Sequence, residues 1–136
     1  MKLFLIGATG RTGSEIVKQA LTRNDELVAY VRNPSKLNIN DPELTVIKGQ
    51  LDDVAKMASE MKGCNAVLVT LGNPISNSSG KLFSFAIPDI IKAMDQAKIK
   101  RLISLSALGV GTTLANTSYP YRMGAKGFLK GNFSDH

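Results

Sequence analysis

Apolar runs alternate with amphipathic stretches along most of this chain. Lys2 to Ile6 is a short apolar run that ends at Gly7, and it predicts a first strand. Thr12 to Arg23 places Ile16, Val17, Ala20 and Leu21 at helical spacing, so a helix is expected there. Glu26 to Val31 predicts the second strand. Asn33-Pro34-Ser35-Lys36 has the form of a helix start, with Asn as cap and Pro at the first helical position. Leu44 to Lys48 predicts a third strand. Asp52 or Asp53 then caps a helix carrying Val54, Met57, Ala58 and Met61, which Gly63 stops. Ala66 to Leu71 is expected as the fourth strand and Arg101 to Leu105 as the fifth. Residues 73–80 form a polar, Gly- and Pro-containing loop, and Phe83 to Ala97 is helical, either starting or kinking at Pro88. Residues 106–136 are Gly-rich and weakly patterned.

This alternation predicts βαβ crossovers, hence parallel pairing and a three-layer α/β sandwich of Rossmann type. The runs are apolar on both faces, as a sheet covered on both sides requires. The expected strand order is 3-2-1-4-5, with a ligand crevice between strands one and four. At 136 residues, 1–136 is read as one domain or part of one.

The segment between the first strand and first helix carries the chemistry: Gly7-Ala8-Thr9-Gly10-Arg11-Thr12-Gly13. The first Gly allows a tight turn, the second lets the backbone approach a pyrophosphate, and the third lets the helix pack close on the sheet. The N–H groups and positive end of the helix then favour a diphosphate. Thr9, Arg11 and Thr12 add side-chain donors. At the tip of the second strand, NAD sites place an acidic residue on the ribose 2′-OH. Here Arg32 stands there instead, followed by Lys36. A guanidinium suits a 2′-phosphate, so the expected cofactor is NADP(H). By the same geometry Leu51 and Asp52 border the adenine, Thr70, Leu71 and Gly72 lie near the middle of the cofactor, and Ser104, Leu105 and Ser106 lie near the nicotinamide.

Composition narrows the classes further. An apolar fraction of 43% with 21% charged residues is that of an ordinary globular domain. No apolar stretch reaches the roughly 18 residues of a membrane span. A single cysteine, Cys64, excludes an internal disulfide and fits the cytoplasm. With one Cys and one His, a Cys/His metal site is not expected. The net charge of +6 is spread without a basic run or interleaved aromatics, so no nucleic-acid partner is expected and the charge suits a polyanionic cofactor. Met57, Met61, Phe83 and Phe85 are assigned to the core.

Taken together, the glycine loop, Val31-Arg32-Asn33-Pro34, Gly49-Gln50-Leu51-Asp52-Asp53 and Leu102-Ile103-Ser104-Leu105-Ser106 resemble the atypical short-chain dehydrogenase/reductase family. The similarity is to its NmrA-like NAD(P)-binding members, including the biliverdin-IX-beta reductase and flavin reductase group. It covers about residues 1 to 110 well. The resemblance implies NADP(H) and hydride transfer to a small-molecule acceptor such as a flavin, tetrapyrrole, quinone or carbonyl compound. Three departures stand out: Gln50 where members often have Asp, Ala107 where many carry a second Ser, and a chain shorter than usual, which reads as the amino-terminal portion of a longer reductase.

The Tyr/Lys dyad of many short-chain dehydrogenases is missing. Tyr121 and Lys126 would lie about 140° apart on a helix, and Pro120 removes Tyr119 from one. Ser106 is left as the candidate catalytic residue, orienting an acceptor or the nicotinamide amide; a hydroxyl that satisfies backbone at a strand end is the competing reading. Hydride transfer needs no strong side-chain base when the cofactor carries the chemistry. Two further readings stay open. One is a non-catalytic NADP(H)-sensing protein that binds a partner. The other is a truncated chain, with its fifth strand left as an edge and apolar surface uncovered. The acceptor and the oligomeric state are not legible.

Overall fold

The computed structural model describes residues 1–72 and 82–105. Five parallel strands form one sheet in the order β3-β2-β1-β4-β5, as expected. These are β1 Lys2–Ile6, β2 Glu26–Val31, β3 Leu44–Lys48, β4 Ala66–Val69 and β5 Leu102–Ser104, joined through α1 Arg11–Thr22, α2 Val54–Met61 and α3 Leu82–Ala97.

Side-chain alternation along each strand sorts the core into two layers. Phe4, Ile6, Val28, Tyr30, Val67 and Val69 face α2 and α3, where Met57, Met61, Ile90, Ala93 and Met94 close over them. Leu5, Leu27, Ala29 and Val31 face the other way, onto Val17 and Ala20 of α1 and onto Leu37. Met57, Met61 and Cys64 are buried, as their pattern predicts, and burial pushes the Cys64 thiol pKa up. The side chain of Phe83 lies outside the described residues.

Several boundaries differ from expectation for physical reasons. β4 stops at Val69 rather than Leu71 because β1 turns away at Gly7. Thr70 N–H still donates to Ile6 O at 2.9 Å, and beyond it β1 offers no carbonyl in register. β5 is likewise shorter than Arg101 to Leu105. The stretch from Asn33 forms only a single 3-10 turn, Pro34–Lys36, with the Asn33 side chain accepting from Ser35 N–H at 3.2 Å. Past this turn the chain reads Leu37-Asn38-Ile39-Asn40-Asp41-Pro42, whose polar side chains compete with helical backbone bonds and whose Pro cannot supply one. α1 begins one residue early, at Arg11, since the extended Gly10 serves as its cap. α3 begins before Pro88 and runs through it.

The base of the sheet is tied by charge. The Met1 ammonium donates to Asp25 Oδ1 at 2.6 Å, and Arg23 Nε lies 3.4 Å from Asp25 Oδ2. The hydrogen bond from the ammonium lowers the Asp25 pKa, against the opposing effect of burial and with help from the charges of the ammonium and Arg23. A carboxyl lowered in the folded state contributes stability that is present above its unfolded pKa and lost as pH falls through the folded one. Asp25→Asn is therefore expected to melt below the wild type at pH 7, with the gap closing as pH drops below the ordinary carboxylate range. Thermal scans from pH 7 to pH 2 test this; a gap that stays constant across the series would remove the electrostatic explanation.

Candidate functional site

The carboxyl ends of β1, β2 and β3 and the turns after them form one end of the sheet. Gly7 leaves β1 with φ +93°, a conformation that L side chains rarely adopt. A Cβ at Gly7 would sit 2.7 Å from Thr70 Oγ1, and one at Gly13 would overlap the carbonyl oxygen of Gly7. These two glycines are required by the protein's own packing. Gly10 is different: a Cβ there would meet only Gly7 O at 3.3 Å and the Thr70 carbonyl oxygen at 4.0 Å.

The loop is held from both sides. Gly10 N–H donates to Gly7 O at 3.0 Å. The Thr70 hydroxyl lies 3.2 Å from both Ile6 O and Gly7 O, and donates into that pair from the end of β4. α1 then starts with no side-chain cap and no acidic residue in its first turn. Thr9, Arg11 and Thr12 are exposed around it. An uncapped helix start is a place for an anion.

A small cleft continues from this loop across the sheet end, lined by Gly7, Thr9, Tyr30, Arg32, Leu51 and Leu71 among others. It brings together five of the residues singled out in the sequence. Arg32 and Leu51 also line an outer cleft of about 240 Å³, together with Gln50, Asp52, Leu82, Phe85, Ala86 and Asp89. Arg32 is exposed at the tip of β2, and Lys36 is exposed in the 3-10 turn beyond it. Ser104 lies on β5 in register with Val69 and is exposed, with its hydroxyl 3.5 Å from Leu105 O. Gly72 is exposed, and a Cβ added to it would have nothing within 4 Å, so packing does not demand a glycine there. Ser106, Ala107, Tyr119, Tyr121 and Lys126 lie outside the described residues.

Two features escape the sequence pattern. Tyr30 is buried, its hydroxyl donates to Gln50 O at 3.0 Å, and its ring fills the space that a side chain at Gly49 would need. This pair fixes the 49–53 turn beside Arg32. Burial first, and then the negative charge of Asp53, raises the Tyr30 pKa. The second is Phe85, assigned to the core but 72% exposed at the rim of the outer cleft. Its helical spacing alone does not say that the cleft, rather than the sheet, lies opposite it.

Among the described residues no group of three or more His, Cys, Asp or Glu could hold a metal ion, and no helix is long and apolar enough to cross a membrane. A larger apolar groove of about 300 Å³ lies at the opposite, amino-terminal end of the strands, between α1, Leu68 and the 47% exposed Ile103.

The profile of an NAD(P)H-binding family matches residues 7–131, from the first loop glycine onward. The chain belongs to this NAD(P)H-binding family. Its resemblance to NmrA-like short-chain dehydrogenases/reductases agrees with that membership. It is 29% identical over 109 residues to the uncharacterized protein YwnB of Bacillus subtilis, a match covering 80% of this chain and 48% of YwnB. The oxidoreductase ylbE of Lactococcus lactis superposes with a TM-score of 0.76 at 20% identity, over 99% of this chain and 61% of that one. The anaerobillin reductase ChuY of Escherichia coli O157:H7 superposes with a TM-score of 0.73 at 18% identity, over 99% and 65%. These two likenesses concern the fold. The chain spans about half the length of the curated relatives it matches.

Proposed function

We propose that residues 1–136 form the NADP(H)-binding domain of a cytoplasmic reductase that passes hydride to a small conjugated acceptor. The observation that carries this is the uncapped start of α1, preceded by a loop whose Gly7 and Thr9 line one cleft with Arg32. The loop amides, with Thr9, Arg11 and Thr12, bind the pyrophosphate. Gly7 and Gly13 hold the turn, and Thr70 fastens it. Arg32 takes the 2′-phosphate, while Leu51 and Asp52 border the adenine. Leu71, Gly72 and Ser104 line the path toward the nicotinamide, where Ser106 orients the acceptor. NADPH supplies the hydride; the protein's part is to orient it. The family membership and the reductase fold of ChuY support this reading, and the free Cys64 suits a reducing compartment.

A second reading, an NADP(H) sensor without turnover, is favoured by Ala107 and by the missing Tyr/Lys dyad. Calorimetric titration with NADPH and NADH, with circular dichroism as folding control, tests the shared part. Tighter NADPH binding supports it; a folded protein that binds neither overturns both readings. Oxidation of NADPH with a flavin, quinone or tetrapyrrole then separates reductase from sensor.

A further inference from the structure

Tyr30 and Val31, the last two residues of β2, stand directly before Arg32 and hold the turn that follows β3. Gly49 N–H donates to Val31 O at 3.0 Å, and the Tyr30 hydroxyl donates to Gln50 O, also at 3.0 Å. Asp53 N–H donates to the same Gln50 carbonyl at 3.3 Å and closes the turn on itself. Arg32 lines the cleft that leads to the glycine loop, the outer cleft, and a further one toward Lys48 and Lys56. Residues of the 49–53 turn line each of these with it. The gap between Arg32 and the turn is therefore set from the strand that carries Arg32.

Within that strand end the side chain that matters is Tyr30, because Val31 contributes only a carbonyl, which every residue has. Tyr30 is 2% exposed, and its ring packs on Phe4 with 5.6 Å between centroids. A ring held in a close-packed core does not follow the turn; the turn has to come to it. Gly49 makes this approach possible. Its φ is not left-handed, so the backbone does not demand a glycine, but a Cβ there would overlap the ring and hydroxyl of Tyr30. The bulk of residue 30 and the bareness of residue 49 are matched, and the hydroxyl bond to Gln50 O locks the match.

We infer that Tyr30 is a positioning residue of this site: its hydroxyl, acting through the Gln50 carbonyl, sets the distance of the 49–53 turn from Arg32 and with it the affinity for the dinucleotide. The inference rests on the NADP(H) reading and adds to it a size-matched pair, Tyr30 with Gly49, that touches the ligand through other residues.

Tyr30→Phe keeps the ring and removes only the hydrogen bond. It should weaken NADPH, NADH and 2′,5′-ADP alike, by about three- to tenfold, and leave the NADPH-to-NADH affinity ratio of the wild type in place, unlike Arg32→Ala. A double-mutant cycle separates positioning from a general loss of stability. Once Leu51→Ala has removed the wall that the turn delivers, adding Tyr30→Phe should weaken NADPH by less than about twofold. Gly49→Ala should lower the melting temperature, and should lower it much less in a Tyr30→Leu background, where the ring it meets is gone. If Tyr30→Phe binds 2′,5′-ADP as tightly as wild type, or weakens NADPH as much with Leu51→Ala as without it, the positioning role falls and the cofactor reading stands. An undiminished effect of Gly49→Ala in Tyr30→Leu removes the pairing of ring and glycine. If folded wild type binds neither NADPH nor 2′,5′-ADP, both readings fall together.

Discussion

Gly13→Ala is expected to destabilise this fold strongly with the addition of one methyl group. The new Cβ would overlap the Gly7 carbonyl oxygen and lie 2.7 Å from Gly7 C and 2.9 Å from Ala8 Cα. All three are backbone atoms, so no rotamer change relieves the clash, and α1 must move off the sheet that buries Val17 and Ala20. Overpacking of this kind costs about 3 kcal/mol, which corresponds to a fall of roughly 10 °C in melting temperature for a domain of this size. Gly10→Ala makes the contrast. Its Cβ would stand 3.3 Å from the Gly7 carbonyl oxygen, a tight contact that a shift of a few tenths of an ångström relieves, and φ −80° suits any residue, so the fall in melting temperature should be much smaller than for Gly13→Ala. Binding of NADPH should nevertheless drop, because the methyl group is added to the loop that is proposed to carry the pyrophosphate. Melting curves and NADPH titrations on the two variants separate these effects. A Gly13→Ala protein with wild-type stability would show that α1 can shift away from β1 at little cost.

Arg32→Ala is expected to act on the ligand and not on the fold. Its side chain is exposed, and none of the hydrogen bonds or ion pairs found among the described residues involves it. Charge-assisted hydrogen bonds are worth about 1.5–3 kcal/mol, so NADPH affinity should fall roughly ten- to hundredfold. NADH lacks the 2′-phosphate and should lose only the stacking contribution, about two- to fivefold. The diagnostic quantity is the ratio of the two affinities, measured at fixed ionic strength because exposed charges are screened. Equal losses for both nucleotides would mean that Arg32 reads the base or ribose and does not select the phosphate.

Much of this site is visible in the linear sequence because it is local. Gly7, Gly10 and Gly13 lie within one turn and one helix start, where steric demand maps directly onto residue type. The five strands are legible because both faces of the sheet are buried, leaving continuous apolar runs. The contributions from distant segments are hidden. Nothing adjacent to Thr70 marks its hydroxyl as the fastener of a loop more than sixty residues away. The steric demand at Gly49 comes from the ring of Tyr30 on the neighbouring strand, which occupies the place of a side chain. Phe85 has the spacing of a core residue, and only the position of the 49–53 turn decides that it borders a cleft. Strand ends are legible only to the extent that a partner continues, which is why β4 falls short of Leu71.

The Thr70 clamp also sets the smallest piece of chain that can carry the loop in this form. Residues 1–48 contain all three glycines, Arg32 and three strands, but the hydroxyl that fastens Gly7 arrives just after β4, 63 residues further along the chain. Bringing such distant segments together has a large loop-closure cost and comes late when a chain folds from local contacts outward. The conformation of the glycine loop is therefore a property of the assembled sheet, and on a growing chain it is completed only after β4 has been made.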